Sequence, residues 1–192
     1  MLWGGHNGGL EVRTLTGGET RLSGSFPYAV ATVLSDGREQ RREVFEARAF
    51  GGSLTSGGDV HLLVHHDFDR PLASRAAGSL TIEDSDEALT FEATLAPEMR
   101  SVGYVRDFLG TLAAGLVGGI SPGFRVRQGG DRVMRDGAGL MRSVRSADLF
   151  EISAVTKPAY TNAQIEARSW EVTPERGAPG AALHRTLNRW RA

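Results

Sequence analysis

The clearest helical periodicity in this sequence is confined to one segment, and this limits the folds open to the chain. Between Pro97 and Val117, apolar residues recur at steps of three and four, the spacing that places side chains on one helix face. Most other segments before residue 157 are short alternating or β-branched runs separated by glycine, proline and Asp-Gly, as in short strands and turns. Because strand–helix units do not repeat, the sequence predicts a β-rich α+β fold rather than an alternating α/β fold.

Length and composition favour one soluble domain. The chain has 192 residues, 40% of them hydrophobic, and a net charge of -1. A hydrophobic core is therefore expected, and there is no excess of charge that would indicate binding to nucleic acid or to an anionic membrane. It has no cysteine, which excludes disulfides and cysteine-ligated metals. No apolar run is long enough to span a membrane. The first ten residues, MLWGGHNGGL, lack the basic-then-apolar order of a signal peptide, so we expect a cytosolic protein. We expect flexible segments at 1–19 and 169–192 around a folded domain at 20–168.

A serine lies among glycines directly after the predicted helix. The segment Gly118–Phe124 reads GGISPGF, and glycine permits sharp bends and close approach of another chain. The helix is expected to stop at Gly118 and Gly119, which would place Ser121 one turn past its end. An ordinary turn explains this composition, and so does an exposed nucleophile, which would need a base and a group to orient that base.

Three of the five histidines lie in the segment Asp59–Asp67, which reads DVHLLVHHD. It alternates like a strand, and His66 follows Val64 on the even-numbered face at the end of that strand. Functional side chains concentrate where rigid elements meet loops. The spacing of His61 and His65 also leaves a zinc site open, although the glutamate that zinc proteases place after the first histidine is absent.

A glutamate interrupts the apolar strand predicted at Asp148–Thr156. Phe150, Ile152 and Ala154 share one face of this strand, and Glu151 lies on the other face. Burying an unpaired carboxylate is costly, so Glu151 should have a partner.

Four segments in series resemble the prohead maturation proteases of tailed phages. The likeness extends over roughly residues 20–168, and it rests on the order, spacing and content of the segments. They are RAFGGSL at 48–54, HDFDRPL at 66–72, GISPGF at 119–124 and FEISAVTKPAY at 150–160.

This resemblance implies a serine endopeptidase with a herpesvirus-protease-like β-barrel flanked by a few helices. Such enzymes act inside the procapsid in the host cytoplasm, where they cut scaffold segments from the major capsid protein and then digest themselves. Mapped onto the matching positions, Ser121 is the expected nucleophile, His66 the general base and Glu151 the third member. No cofactor is implied, and self-association of the protease stays open.

The residue after the serine raises a question about the oxyanion hole. Pro122 has no N–H, so it cannot donate the hydrogen bond that a residue after a nucleophile often supplies. We expect Arg125, Arg127 or a nearby loop amide to take this role, with Gly123 as a further oxyanion or support candidate.

Two alternatives to a serine peptidase are also considered, the first of which depends on the resemblance. One is a non-catalytic assembly protein that binds capsid subunits, and the other is a metal hydrolase using His61, His65 and Asp67. The string GISPG also fits the G-x-S-x-G pattern of α/β-hydrolases, but its serine follows a predicted helix rather than a strand.

Overall fold

The computed structural model describes residues 10–14, 18–35, 39–137, 139–156 and 172–173. Within them the chain forms twelve strands, two α-helices and one short 3₁₀ helix. The strands are β1 (Leu10–Thr14), β2 (Thr20–Pro27), β3 (Thr32–Ser35), β4 (Arg41–Phe45), β5 (His61–Val64), β6 (Asp67–Ser74), β7 (Leu80–Asp84), β8 (Ala88–Leu95), β9 (Gly119–Val126), β10 (Asp131–Asp136), β11 (Gly139–Val144) and β12 (Ala147–Val155). The helices are α1 (Gly51–Thr55), the 3₁₀ helix (Pro97–Ser101) and α2 (Gly103–Ala113).

The strands form three four-stranded sheets. Their orders are β1-β2-β8-β7, β10-β11-β4-β3 and β6-β5-β12-β9. Two pairs are parallel, β4 with β11 and β5 with β12, and the others are antiparallel. The predicted β-rich α+β class is confirmed, whereas the strand order of the described residues shows three sheets and no closed barrel.

Aromatic side chains join the three sheets at the centre of the molecule. Phe26 on β2, Phe45 on β4 and Phe124 on β9 come from different sheets, and Phe50 precedes α1. The Phe45 ring lies 5.3 Å from Phe26, 5.4 Å from Phe50 and 4.9 Å from Phe124, measured between ring centroids. The pairs with Phe26 and Phe124 are edge-to-face and the pair with Phe50 is stacked. Aromatic pairs at such distances add to the stabilisation from burial, so this cluster fixes the sheets against one another.

The predicted helix is shorter than its sequence pattern, and the expected stop at Gly118 and Gly119 is wrong. The chain forms α2 only from Gly103 to Ala113. Gly115 has a φ of +70°, and the N–H of Leu116 donates to the carbonyl of Thr111 at 2.9 Å. This is the glycine-terminated end of a helix that a left-handed residue makes possible. The chain therefore leaves the helix early enough to enter β9 before Ser121.

Both predicted flexible segments contain residues that contact the domain. Strand β1, within 1–19, pairs with β2 from Leu10 opposite Gly24 to Thr14 opposite Thr20. Thr173, within 169–192, donates its N–H to the carbonyl of Val133 at 2.9 Å. The remaining residues of both segments lie largely outside the described residues, and the domain boundaries stay predictions.

Candidate active site

Ser121 lies on a strand rather than in the predicted loop. It belongs to β9, at one edge of its sheet, and pairs with Ser153 on the neighbouring strand β12. Proline within a sheet is confined largely to edge strands, and Pro122 follows this rule. Residues 120 and 154 are cross-strand partners whose side chains pack into the core. Ser121 and Ser153 alternate with them, so they lie on the opposite face of the sheet.

His66 lies in a two-residue turn between β5 and β6. Val64 pairs with Asp67 across this hairpin, and the φ angles of His65 and His66 are +54° and +61°. Two consecutive left-handed residues define the type I′ turn that suits the twist of a hairpin. The backbone N–H of His65 donates to the carbonyl of Ala154 at 3.0 Å, which fastens the turn to β12.

The His66 imidazole contacts the carboxylate of Glu151. The distance from Nδ1 of His66 to Oε1 of Glu151 is 2.7 Å. The His66 side chain is 44% exposed, and that of Glu151 is 5% exposed. The expectation that His66 shares a face with Val64 is wrong, because the turn residues leave the alternation of the strand. The histidine thereby reaches the glutamate on the face opposite the core.

Ser153 satisfies the second oxygen of the same carboxylate. Its hydroxyl donates to Oε2 of Glu151 at 2.6 Å and accepts the backbone N–H of His66 at 2.9 Å. Both carboxylate oxygens of Glu151 therefore have partners, as a buried charged group requires. Ser153 is not among the predicted site residues, although its spacing of two from Glu151 on a strand places the two side chains on one face.

Gly123 gives the Glu151 carboxylate its space. Gly123 is the cross-strand partner of Glu151, and a Cβ atom at this position would lie 1.9 Å from Oε1 of Glu151. No real pair of such atoms approaches so closely, so any side chain here would displace the carboxylate. The structure thus gives the predicted support candidate a steric reason to be glycine.

The arrangement could supply a base and its orienting acid on the sheet face that bears Ser121. Because Nδ1 of His66 faces Glu151, its Nε2 is left to accept a proton, as in Ser-His-acid triads. Ser121 is 5% exposed and adjoins Ser153, which itself holds the backbone of His66. Within the described residues, no hydrogen bond joins the Ser121 hydroxyl to the imidazole. Catalytic hydrogen bonds are often long before substrate binds.

Neither candidate arginine is held beside the serine. Arg125 lies on β9, and Arg127 directly follows the end of that strand. At roughly 3.3 Å per residue, their Cα atoms are about 13 Å and about 20 Å from that of Ser121. The Arg125 guanidinium lies over the Phe150 ring, 5.4 Å from its centroid. The Arg127 Nε donates to Oδ1 of Asp148 at 2.7 Å. Both guanidinium groups thus have partners away from Ser121, and their role as oxyanion donors stays a prediction.

The proposed metal ligands do not converge. His61 lies 3.4 Å from Asp59, measured from Nε2 to Oδ2, and His65 is exposed in the hairpin turn. Across the described ranges, no group of three histidine, aspartate or glutamate side chains is arranged to hold a metal ion. The set of His61, His65 and Asp67 is therefore not assembled here. In the same ranges, no helix has the length and apolar character to cross a membrane.

Comparison with known families identifies the family of the chain. The chain matches the family described as caudovirus prohead serine protease over residues 11–176. Neither curated proteins nor solved structures gave a match. The matched range includes Ser121, His66 and Glu151, and it extends over most of the 192 residues. The chain therefore belongs to the caudovirus prohead serine protease family.

Proposed function

We propose that this protein is a serine endopeptidase that cleaves scaffold segments from the major capsid protein and then digests itself. The observation that carries the proposal is the 2.7 Å contact between His66 and the buried Glu151. It joins residues 85 positions apart on the sheet face that also bears Ser121. Membership of the prohead protease family supports capsid protein as the substrate and the procapsid in the host cytoplasm as the place of action.

In the proposed mechanism, Ser121 is the nucleophile and His66 is the general base. The Ser121 oxygen attacks the scissile carbonyl carbon while Nε2 of His66 takes the hydroxyl proton. The resulting tetrahedral intermediate expels the amine, which receives that proton from His66, and an acyl-enzyme remains. Water then attacks the ester with His66 again as base, and the acid product leaves as Ser121 regains its proton. Glu151 holds Nδ1–H and stabilises the imidazolium formed in each half of the cycle.

The position of Ser121 on β9 offers a way to receive a peptide. An edge strand presents backbone N–H and C=O groups that can pair with an added strand. We propose that the substrate lies extended along β9, so that its scissile bond reaches Ser121. Since Pro122 has no N–H and both arginines have partners elsewhere, backbone amides near Ser121 are the better oxyanion donors.

Co-expression with the capsid protein of the same phage tests this function. We expect wild-type protein to shorten the capsid protein and itself, and Ser121→Ala to leave both intact, as seen by intact-protein mass spectrometry. Glu151→Gln should reduce the cleavage rate on the order of 10³- to 10⁴-fold, because an amide neither fixes the Nδ1–H tautomer of His66 nor stabilises the imidazolium. Gly58→Ala is a matched control at an exposed loop position, where an added Cβ meets nothing within 4 Å.

The same experiment distinguishes the alternatives. Identical, uncut capsid protein with wild type and Ser121→Ala would contradict the peptidase, and co-purification of the intact partners would then favour an assembly protein. Cleavage that survives Ser121→Ala but stops with a chelator would instead identify a metal hydrolase.

A further inference from the structure

A buried hydroxyl connects the two parts of the catalytic pair that come from distant segments. Ser153 is 0% exposed, and its oxygen makes two hydrogen bonds in opposite roles. It donates to Oε2 of Glu151 at 2.6 Å and accepts from the backbone N–H of His66 at 2.9 Å. The Ser153 oxygen therefore holds both the Glu151 carboxylate and the backbone of His66, and the His66 ring in turn binds that carboxylate.

The turn that carries His66 needs such a fixed point. His65 and His66 both have positive φ angles, a conformation that non-glycine residues adopt rarely and that persists where the surroundings impose it. Two hydrogen bonds tie the turn to β12, and they come from consecutive amides. The first joins His65 N–H to the Ala154 carbonyl, and the second joins His66 N–H to the Ser153 hydroxyl. Only the second involves a side chain, so a substitution can remove it.

The bond from Ser153 also limits the rotation of the carboxylate. With Oε2 held by the hydroxyl, Oε1 is directed to Nδ1 of His66 at 2.7 Å. The Cβ-free Gly123 lies against the same carboxylate. An imidazole held in one orientation and one tautomer is what a general base requires, and misplacement by a fraction of an ångström reduces rates strongly.

We propose that Ser153 is the positioning residue of the His66–Glu151 pair, holding the turn backbone and the carboxylate in register. This inference rests on the proposed function for its kinetic consequence, although the positioning itself is a property of the folded protein. Removing the hydroxyl should leave the substrate-binding strand intact and reduce the chemical step. We expect Ser153→Ala to lower kcat for removal of the capsid scaffold segment by about 10- to 100-fold, with KM changed less than about threefold.

Ser53→Ala is the matched control. Ser53 is 8% exposed, and its hydroxyl accepts the N–H of Leu149 at 3.0 Å. This variant also removes a buried hydroxyl that bonds to backbone, and it acts on the same strand β12 without touching His66 or Glu151. A kcat for Ser153→Ala equal to that of Ser53→Ala would overturn the proposal.

A spectroscopic measurement separates this proposal from the peptidase function. In the Ser121→Ala background, which should not digest itself, His66 Nδ1–H is expected as a slowly exchanging downfield proton resonance. The loss of that signal in His66→Gln assigns it. Adding Ser153→Ala should abolish or broaden the signal, whereas adding Ser53→Ala should leave it unchanged. Persistence of an unchanged signal without Ser153 would overturn the proposal.

The resonance also decides the proposal if the protein does not cleave its substrate or if Ser153→Ala does not fold. If wild-type protein shows no Ser121-dependent cleavage, the peptidase function fails, and the resonance still decides whether Ser153 positions His66. If Ser153→Ala does not fold, Ser153→Cys fills the space with a side chain that bonds only weakly, and it should show the same loss of signal. An unchanged signal in the folded cysteine variant would contradict the proposal.

Discussion

Gly123 shows at the level of one residue how packing creates the site. The Glu151 carboxylate occupies the space that a side chain would take across the strand pair, with 1.9 Å between Oε1 and an ideal Cβ. The nearest atoms all belong to the glutamate, so the position accepts a side chain only if Glu151 moves. Substitution of Gly123 by alanine is therefore expected to displace the Glu151 carboxylate rather than the backbone.

We predict that Gly123→Ala lowers kcat by at least about tenfold, since it pushes Oε1 away from His66 while leaving Ser121 in place. Cleavage of the capsid protein by purified enzyme measures the effect. Gly118→Ala is the matched control, because a Cβ there meets nothing within 4 Å and activity should be kept. Equal activity of the two variants would show that the carboxylate does not need its present position.

The sequence predicts which residues are candidates for the site better than it predicts which of them contact one another. Glu151 could be singled out because a carboxylate in an apolar strand needs a partner, and His66 because it ends a strand. Ser153 could not be singled out from the sequence, because a serine in a strand has many ordinary explanations. The predicted face of His66 is wrong because it extends the strand alternation two residues too far, past Val64. The positive φ angles of His65 and His66 cannot be read from the local sequence pattern.

At the scale of elements, the β5–β6 hairpin combines an unfavourable backbone with a functional side chain. Type I′ turns favour glycine and asparagine, yet both turn positions here are histidine. His66 has a proposed role that requires its ring. His65 is exposed, and the structure shows only its backbone in a hydrogen bond, so its left-handed conformation is open to improvement.

We predict that His65→Gly raises the free energy of unfolding by about 0.5–1 kcal/mol, since glycine removes the left-handed strain but adds freedom to the unfolded chain. His65→Val should lower stability by about 1 kcal/mol or more, because a β-branched residue tolerates this φ poorly. Urea unfolding of both variants in the Ser121→Ala background measures the effect. A glycine variant less stable than the valine variant would contradict the assigned turn.

The limits of the sequence pattern are also visible in α2. Its apolar spacing predicted a helix to Val117, but Gly115 ends it with a left-handed residue. Ala113 and Ala114, which precede it, favour helix. The end of the helix is defined by two hydrogen bonds, from Leu116 N–H to the Thr111 carbonyl and from Gly115 N–H to the Leu112 carbonyl. The consequence for the site is large: the early end lets residues 119–126 pair with β12 and makes Ser121 a strand residue.

For the whole molecule, the decisive contacts lie far apart in sequence. The parallel pairs of β4 with β11 and of β5 with β12 join segments 90 to 99 residues apart, as in the register of Glu43 with Arg142 and of His61 with Glu151. Local patterns predicted many of these strands but carry no record of their partners. The β-rich class could therefore be predicted, whereas the three-sheet arrangement and the face of the site could not.

Tyr28 and Asp84 form another long-range contact, between the end of β2 and the end of β7. The Tyr28 hydroxyl donates a short hydrogen bond to Asp84, and the tyrosine is 4% exposed. Burial, reinforced by the hydrogen bond to Asp84, raises the pKa of Tyr28 well above its usual range. Burial likewise raises the pKa of Asp84, although the bond from Tyr28 opposes this. The folded protein therefore favours the neutral tyrosine.

We predict that stability falls as pH rises above about 10, because the unfolded chain then releases the tyrosine proton and folded Tyr28 keeps it. Tyr28→Phe should lose about 1–3 kcal/mol at pH 7, where a bond to a carboxylate disappears, but its further decline between about pH 9.5 and 11 should be smaller. Urea unfolding across this range measures both effects.

Tyr104→Phe is the comparison variant. Burial raises the pKa of Tyr104 as well, but its hydroxyl donates to a neutral carbonyl, that of Pro71. If the alkaline decline of Tyr28→Phe matches that of wild type, the Tyr28 hydroxyl does not stay protonated in the folded core.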